Sequence, residues 1–232
     1  MTQHVVKITA PAGDQARFDA ALKGGADEIY MGLSGYGARR FAGNFSCDEY
    51  CHAIDQAHRV GAAVHLTLNT IMSERELDVV GPDIKRLYRA GLDAVIVQDF
   101  GVARWLHSFF PELPIHASTQ MSVVSLEELH FLQSQGFARV VLARELSQDE
   151  ITKLARNSSI ELEVFASGAL CLACSGKCLL SSFIGGRSGN RGACAQPCRH
   201  LWRKVASRIA SQTDESQVQD TSEQQGFFLS LK

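Results

Sequence analysis

Gly136-Phe137-Ala138-Arg139-Val140-Val141-Leu142-Ala143-Arg144-Glu145-Leu146-Ser147-Gln148-Asp149-Glu150 is the stretch on which the fold turns. A glycine leads in, and Val140 to Ala143 is a short apolar run of strand length. Charged Arg144 and Glu145 stand at its end. Ser147-x-x-Glu150 is a capping box, in which the Ser and Glu side chains satisfy free amides of a helix's first turn. The stretch reads as a strand, a polar strand end and a helix start.

The same unit recurs along the chain. Ser46/Glu49, Ser73/Glu76 and Ser125/Glu128 repeat the box after the apolar runs Glu28-Ile29-Tyr30-Met31, Ala63-Val64-His65-Leu66 and Pro114-Ile115-His116-Ala117. Gly24-Gly25-Ala26-Asp27 and Gly91-Leu92-Asp93-Ala94 repeat the glycine lead-in. Val5-Val6-Lys7-Ile8 reads as the first strand, ending at Ala10-Pro11-Ala12-Gly13, and Asp14 is placed to cap the helix that follows. Ala94 to Val97 and Leu162-Glu163-Val164-Phe165 complete seven strands, six of them followed by a helical pattern. Such alternation predicts a parallel sheet, because parallel strands need helical crossovers. A closed (βα)8 barrel and an open doubly wound sheet both satisfy it, but no Gly-x-Gly-x-x-Gly follows the first strand to support a dinucleotide fold. The expected class is therefore α/β and TIM-barrel-like, with seven visible strands and an eighth missing by truncation. Residues 1–166 are read as the (βα)-repeat domain, 167–208 as a Cys-rich basic segment of that domain, and 209–232 as a polar linker with the start of a cut strand.

The chain has 232 residues, 45% hydrophobic and 21% charged, which excludes collagen, a disordered tail or a small disulfide scaffold. No run approaches the roughly 18 apolar residues of a membrane span, and Met1 to His4 starts no signal peptide, so a cytoplasmic protein is expected. The net charge of −2 hides an asymmetry: Val164 to Thr213 holds no acid and seven cations, among them Lys177, Arg187, Arg191, Arg199, Arg203 and Lys204. A basic segment on an acidic body predicts an anionic partner, phosphate or a small carboxylate. The same segment holds Cys171, Cys174, Cys178, Cys194 and Cys198, and four converging thiolates suit zinc or an iron–sulfur cluster. Barrel chemistry sits at the C-terminal mouth, where Asn69, Gln98, Asp99, His116, Ser118, Gln120, Arg144 and Glu145 gather. Cys47 and Cys51, four apart, are expected to be packing residues, and Phe109-Phe110 and Phe227-Phe228 core.

Glu163-Val164-Phe165-Ala166-Ser167-Gly168-Ala169-Leu170-Cys171, continuing through Gly176-Lys177-Cys178-Leu179-Leu180-Ser181, resembles the signature of peptidase family U32, the collagenase-like proteases. Gly185 to Arg199, with Leu68-Asn69-Thr70, Val97-Gln98-Asp99, His116 to Gln120 and Leu142 to Glu145, is similar to its further motifs. The resemblance runs from about Val5 to Arg199 and implies oxygen-independent hydroxylation of a tRNA uridine or rRNA cytidine. It also implies a [4Fe-4S] cluster on Cys171, Cys178, Cys194 and Cys198, prephenate as co-substrate and an electron donor as partner. The ending Cys194-Ala195-Gln196-Pro197-Cys198-Arg199 resembles the RNA-modifying branches. On that reading RNA, rather than DNA or a membrane, meets Arg187, Arg191, Arg199, Arg203 and Lys204. Asp99, His116, Arg144 and Glu145 are the candidate catalytic residues. Ser167 stands where many members have His, and Cys174 is read as a spare thiol. Two other readings stay open: a peptidase with a Cys nucleophile and His116 as base, and a zinc-stabilised binding module.

Overall fold

The computed structural model describes residues 6–37, 43–168 and 171–202. Seven strands alternate with helices. They are β1 (Thr9–Ala12), β2 (Glu28–Gly32), β3 (Ala63–Leu68), β4 (Ala94–Val97), β5 (Ile115–Ala117), β6 (Arg139–Val141) and β7 (Glu161–Glu163). The helices between them are α1 (Gln15–Lys23), α2 (Cys47–Arg59), α3 (Glu74–Arg89), α4 (Phe100–Phe109), α5 (Leu126–Ser134) and α6 (Gln148–Asn157). Every pairing is parallel and the strand order is the chain order. The result is a curled TIM-barrel-like sheet with the helices outside it.

All four capping boxes form as the sequence predicts, each Ser hydroxyl accepting from the N3 amide while the N3 Glu accepts from the Ser amide. Asp14 caps α1 as expected. The first strand is a correction: β1 starts at Thr9, whereas Val6 and Ile8 are 87% and 63% exposed. The reason is the partner strand, since β2 begins at Glu28, whose register mate is Thr9, and among the described residues β1 is an edge strand, which tolerates Pro11. Strand β7 ends at Glu163, two residues short of the expected Phe165. Phe110 is core, but Phe109 at the end of α4 is exposed, because one helix face cannot bury two successive residues. Cys47 and Cys51 pack against the core as expected. Phe227-Phe228 and the predicted truncated strand lie outside the described residues.

Strand residues alternate between two environments. Ile29, Met31, Val64, Leu66, Leu68, Val95, Val97, Ile115, Val140 and Leu142 point outward into one apolar layer with Tyr50, Ile54, Ile84 and Leu106 of the helices. Each such buried side chain contributes roughly 1.5–3 kcal/mol. The residues between them face the barrel interior, and that interior is polar. Arg139 reaches across to Glu28 and donates to Glu161 and Glu163 (2.9 and 3.2 Å). His65 and His116 pack edge to face, ring centroids 4.9 Å apart. Aliphatic layers, the usual filling of such barrels, are largely replaced here by ionisable groups.

Candidate active site at the barrel mouth

Above the charged layer the interior opens into a cavity of about 140 Å3 at the strand C-termini. Pro11 and Ala12 at the end of β1, with Gly13 after it, form part of its rim; Tyr30, Thr67, Asn69, Val141, Glu163 and Phe165 line it with Tyr36 and Asn44 from the loop after β2. Two glycines let that loop close in. A Cβ on Gly32 would stand 2.4 Å from Asn44 Oδ1, and Gly37, at φ +88°, would put one 3.0 Å from the Thr67 carbonyl oxygen. Glu163 is the cavity's only carboxyl among the described residues. Burial pushes its pKa up, and the Arg139 guanidinium partly opposes this.

The Cys-rich segment is latched beside this mouth through Ser175, which is fully buried. Its amide donates to Glu145 Oε1 at 2.7 Å, its hydroxyl is shared between the two Glu145 oxygens at 3.2 Å, and Arg144 Nε donates to that hydroxyl at 3.1 Å. Ser122 Oγ donates to the Ser175 carbonyl. Gly176 follows at φ +71°, where any Cβ would overlap the Gln120 carbonyl. Further along, Gln98 Nε2 donates to the Asn190 carbonyl at 3.1 Å, and Arg191 pairs with Glu76 (2.6 Å) and donates to the Ile71 carbonyl. Between segment and barrel lies a second cleft of about 360 Å3, lined by Gln98, Phe100, Gln120, Phe131 and Lys177 among others.

The structure gives the predicted site residues different surroundings. Arg144 and Glu145 both bind Ser175. Asp99 caps α4 through Gly101 and accepts from Met72, so both of its oxygens are bonded to backbone. His116 is 4% exposed beneath the cavity, and burial, with His65 and Arg139 beside it, lowers its pKa to about 3. Among the described residues no hydrogen bond joins it to a cysteine. Arg187 donates to the Ala193 carbonyl at 2.9 Å, and Arg199 is exposed. Arg203 and Lys204 lie outside the described residues.

The sequence model of peptidase family U32 matches residues 13–232. This chain belongs to peptidase family U32. Its curated relatives include the 23S rRNA 5-hydroxycytidine C2501 synthase of Escherichia coli, 41% identical over 86% of the chain and 30% of the relative. The tRNA hydroxylation protein P1 of Bacillus subtilis is 35% identical over 83% and 46%. A collagenase of Porphyromonas gingivalis is 34% identical over 83% and 49%. The chain thus spans half or less of each of these proteins. A solved U32 peptidase superposes with a TM-score of 0.59 at 15% identity, covering 71% of this chain and 70% of its own, which shows the shared fold.

In this U32 chain the four expected cluster ligands are free thiols: Cys171 and Cys194 exposed, Cys178 and Cys198 half-buried. Their chemistry fits an iron–sulfur centre, and Cys194 Sγ already accepts the Gln196 amide at 3.3 Å, the type of bond that tunes cluster sulfurs. Among the described residues no three His, Cys, Asp or Glu side chains are grouped as metal ligands. Cys174 and Ser167 are exposed.

Sequence reasoning missed Glu163, His65, Glu28 and Arg139 as members of one interior. The signal present was a charge at an alternate position of an otherwise apolar strand, which identifies an inward face only once the sheet is known to curl.

Proposed function

We propose that this U32 protein supports oxygen-independent hydroxylation of a pyrimidine in RNA, with the barrel mouth as the reaction site. The carrying observation is the docking of the cysteine segment: Ser175, twelve positions past the cavity's Glu163, ties it to the Arg144-Glu145 strand end. The relatives that hydroxylate rRNA and tRNA support the same reading. Cys171, Cys178, Cys194 and Cys198 would hold a [4Fe-4S] cluster, which when bound supplies electron transfer beside the mouth. The basic segment meets phosphates, and a small carboxylate such as prephenate is the proposed co-substrate. An electron donor completes the set of partners, in the cytoplasm where such RNA resides. No helix among the described residues is long and apolar enough to cross a membrane.

The collagenase relative keeps a peptidase as the second reading. Neither a Gly-x-Ser-x-Gly elbow nor His-Glu-x-x-His is present in the sequence, and His116 is buried rather than paired with a thiol. The test is to express the intact protein in cells without their own U32 RNA hydroxylation and measure hydroxylated cytidine and uridine in rRNA and tRNA by mass spectrometry. New hydroxylated nucleoside is the expected result. Its absence, together with gelatin cleavage by the pure protein, establishes the peptidase reading instead.

A further inference from the structure

We propose that the mouth cavity receives one unstacked pyrimidine base of RNA, with the Glu163 carboxyl meeting the base's hydrogen-bonding edge. This rests on the RNA reading above and adds where the base goes.

Size is the first argument. A cavity of about 150 Å3 holds one benzene ring. At about 140 Å3 the mouth cavity has room for a six-membered base ring. The lining is the second. Tyr30, Tyr36 and Phe165 supply aromatic surface, and Thr67 and Asn69 supply polar groups among them. Enzymes that act on a base extrude it into such a pocket, stack it on aromatic or apolar walls and read its Watson–Crick edge. On cytosine and uracil that edge carries an N–H, which a carboxylate oxygen accepts. Glu163 Oε2 is held by Arg139 at 3.2 Å, while Oε1 has no hydrogen bond among the described residues.

Charge is the third argument. Among the described residues the cation beneath the cavity is Arg139, whose two terminal nitrogens are engaged by Glu28, Glu161 and Glu163. Among the described residues the lining holds one carboxyl and no unengaged cation, so there a phosphate or carboxylate ligand would be buried unpaired at a cost. A neutral base is not penalised. Phosphates can instead follow exposed Arg199 and Lys177 outside the cavity.

Photo-crosslinking of the intact protein tests this. An oligouridine decamer carrying one 4-thiouridine is bound, irradiated, and the adduct mapped by mass spectrometry, with filter retention measured in parallel. Adducts are expected on Tyr30, Tyr36 or Phe165. Val141→Phe, which fills the cavity, should cut their yield about tenfold, the scale of one lost base stack. Retention should change less than about threefold, because phosphate contacts dominate it. Because Val141→Phe can misfold, Glu163→Gln is the second variant: it conserves size and should lower the yield with an unchanged circular dichroism spectrum. Retained RNA with adducts only on residues 187–202, or wild-type yield in both variants, overturns the cavity assignment and leaves the RNA reading standing. Failure to retain RNA overturns both.

Discussion

Arg139 at the start of β6 and Glu28 at the start of β2 lie 111 positions apart and close a two-pronged ion pair through the barrel interior, with Nη2 to Oε1 at 2.8 Å. Their side chains are 5% and 3% exposed. Thr9 donates to Glu28 from β1 at 2.9 Å, Lys7 pairs with it from below, and Glu161 and Glu163 receive Arg139 from β7. One guanidinium therefore joins opposite sides of a sheet whose first and last strands are not hydrogen-bonded to each other among the described residues. The surrounding cations hold Glu28 well below the ordinary carboxylate range despite its burial.

Removing one partner should be far worse than removing both. Arg139→Met alone leaves Glu28 buried without its main partner and should cost about 3–5 kcal/mol, whereas Arg139→Met with Glu28→Leu should recover much of that. Urea unfolding of the single and double variants measures it. Additive losses in the double variant would show that the two side chains act independently.

Stability should fall as the pH drops from neutral. Burial lowers His65 to about 4 and His116 to about 3, against an ordinary 6.5. Between those values the unfolded chain binds protons that the folded chain refuses. The contribution is thus fully present above pH 6.5 and is lost as pH falls toward 4 for His65 and toward 3 for His116, at up to about 1.4 kcal/mol per unit for each histidine. Two histidines make at most about 4 kcal/mol between pH 7 and pH 5. His116→Leu should halve the difference between denaturant midpoints at the two pH values, and an undiminished difference would remove His116 from the account.

The Ser175 latch should govern how firmly the cysteine segment sits. Ser175→Ala removes the hydroxyl bonds to Glu145 and Arg144, worth about 1.5–3 kcal/mol for bonds to charged groups. Gly176→Ala adds a Cβ into the Gln120 carbonyl at positive φ and should be at least as disruptive. Amide exchange of residues 171–191 should rise in both variants while α2 and α3 keep wild-type protection. Unchanged exchange would mean the segment is held elsewhere.

Anaerobic purification with iron, sulfide and zinc analysis examines the proposed cluster. About four irons and four sulfides per chain are expected, falling to background in Cys178→Ser and little changed in Cys174→Ser. Zinc, or no metal, would exclude the cluster.

Arg191 and Arg199 should separate in RNA binding. Arg191 is committed to Glu76, whose pKa its hydrogen bonds, with those of Ser73, lower to about 2; Arg199 is exposed. Arg199→Ala should reduce the salt dependence of RNA affinity by about one phosphate contact. Arg191→Ala should leave that slope unchanged and cost at most about 1 kcal/mol of stability, since its ion pair is half-exposed. Equal slopes for both variants would reverse the assignment.

The sequence alone determined the elements and their order, because capping boxes, glycine lead-ins and short apolar runs are local signals satisfied by local hydrogen bonds. Ser147 and Glu150 need only each other and one helical turn. It also placed five of the seven cysteines on one basic segment, and its motifs pointed to the family. Tertiary structure decided which charges meet. Arg139 reads as the last polar residue before a strand until curling of the sheet brings Glu28 opposite it. Asp99 and Glu145 look alike as mouth acids, yet one caps a helix and the other holds Ser175. Glu163 becomes the cavity's carboxyl for the same reason: side-chain alternation is written locally, but which face turns inward is set by packing helices on the apolar side of the sheet.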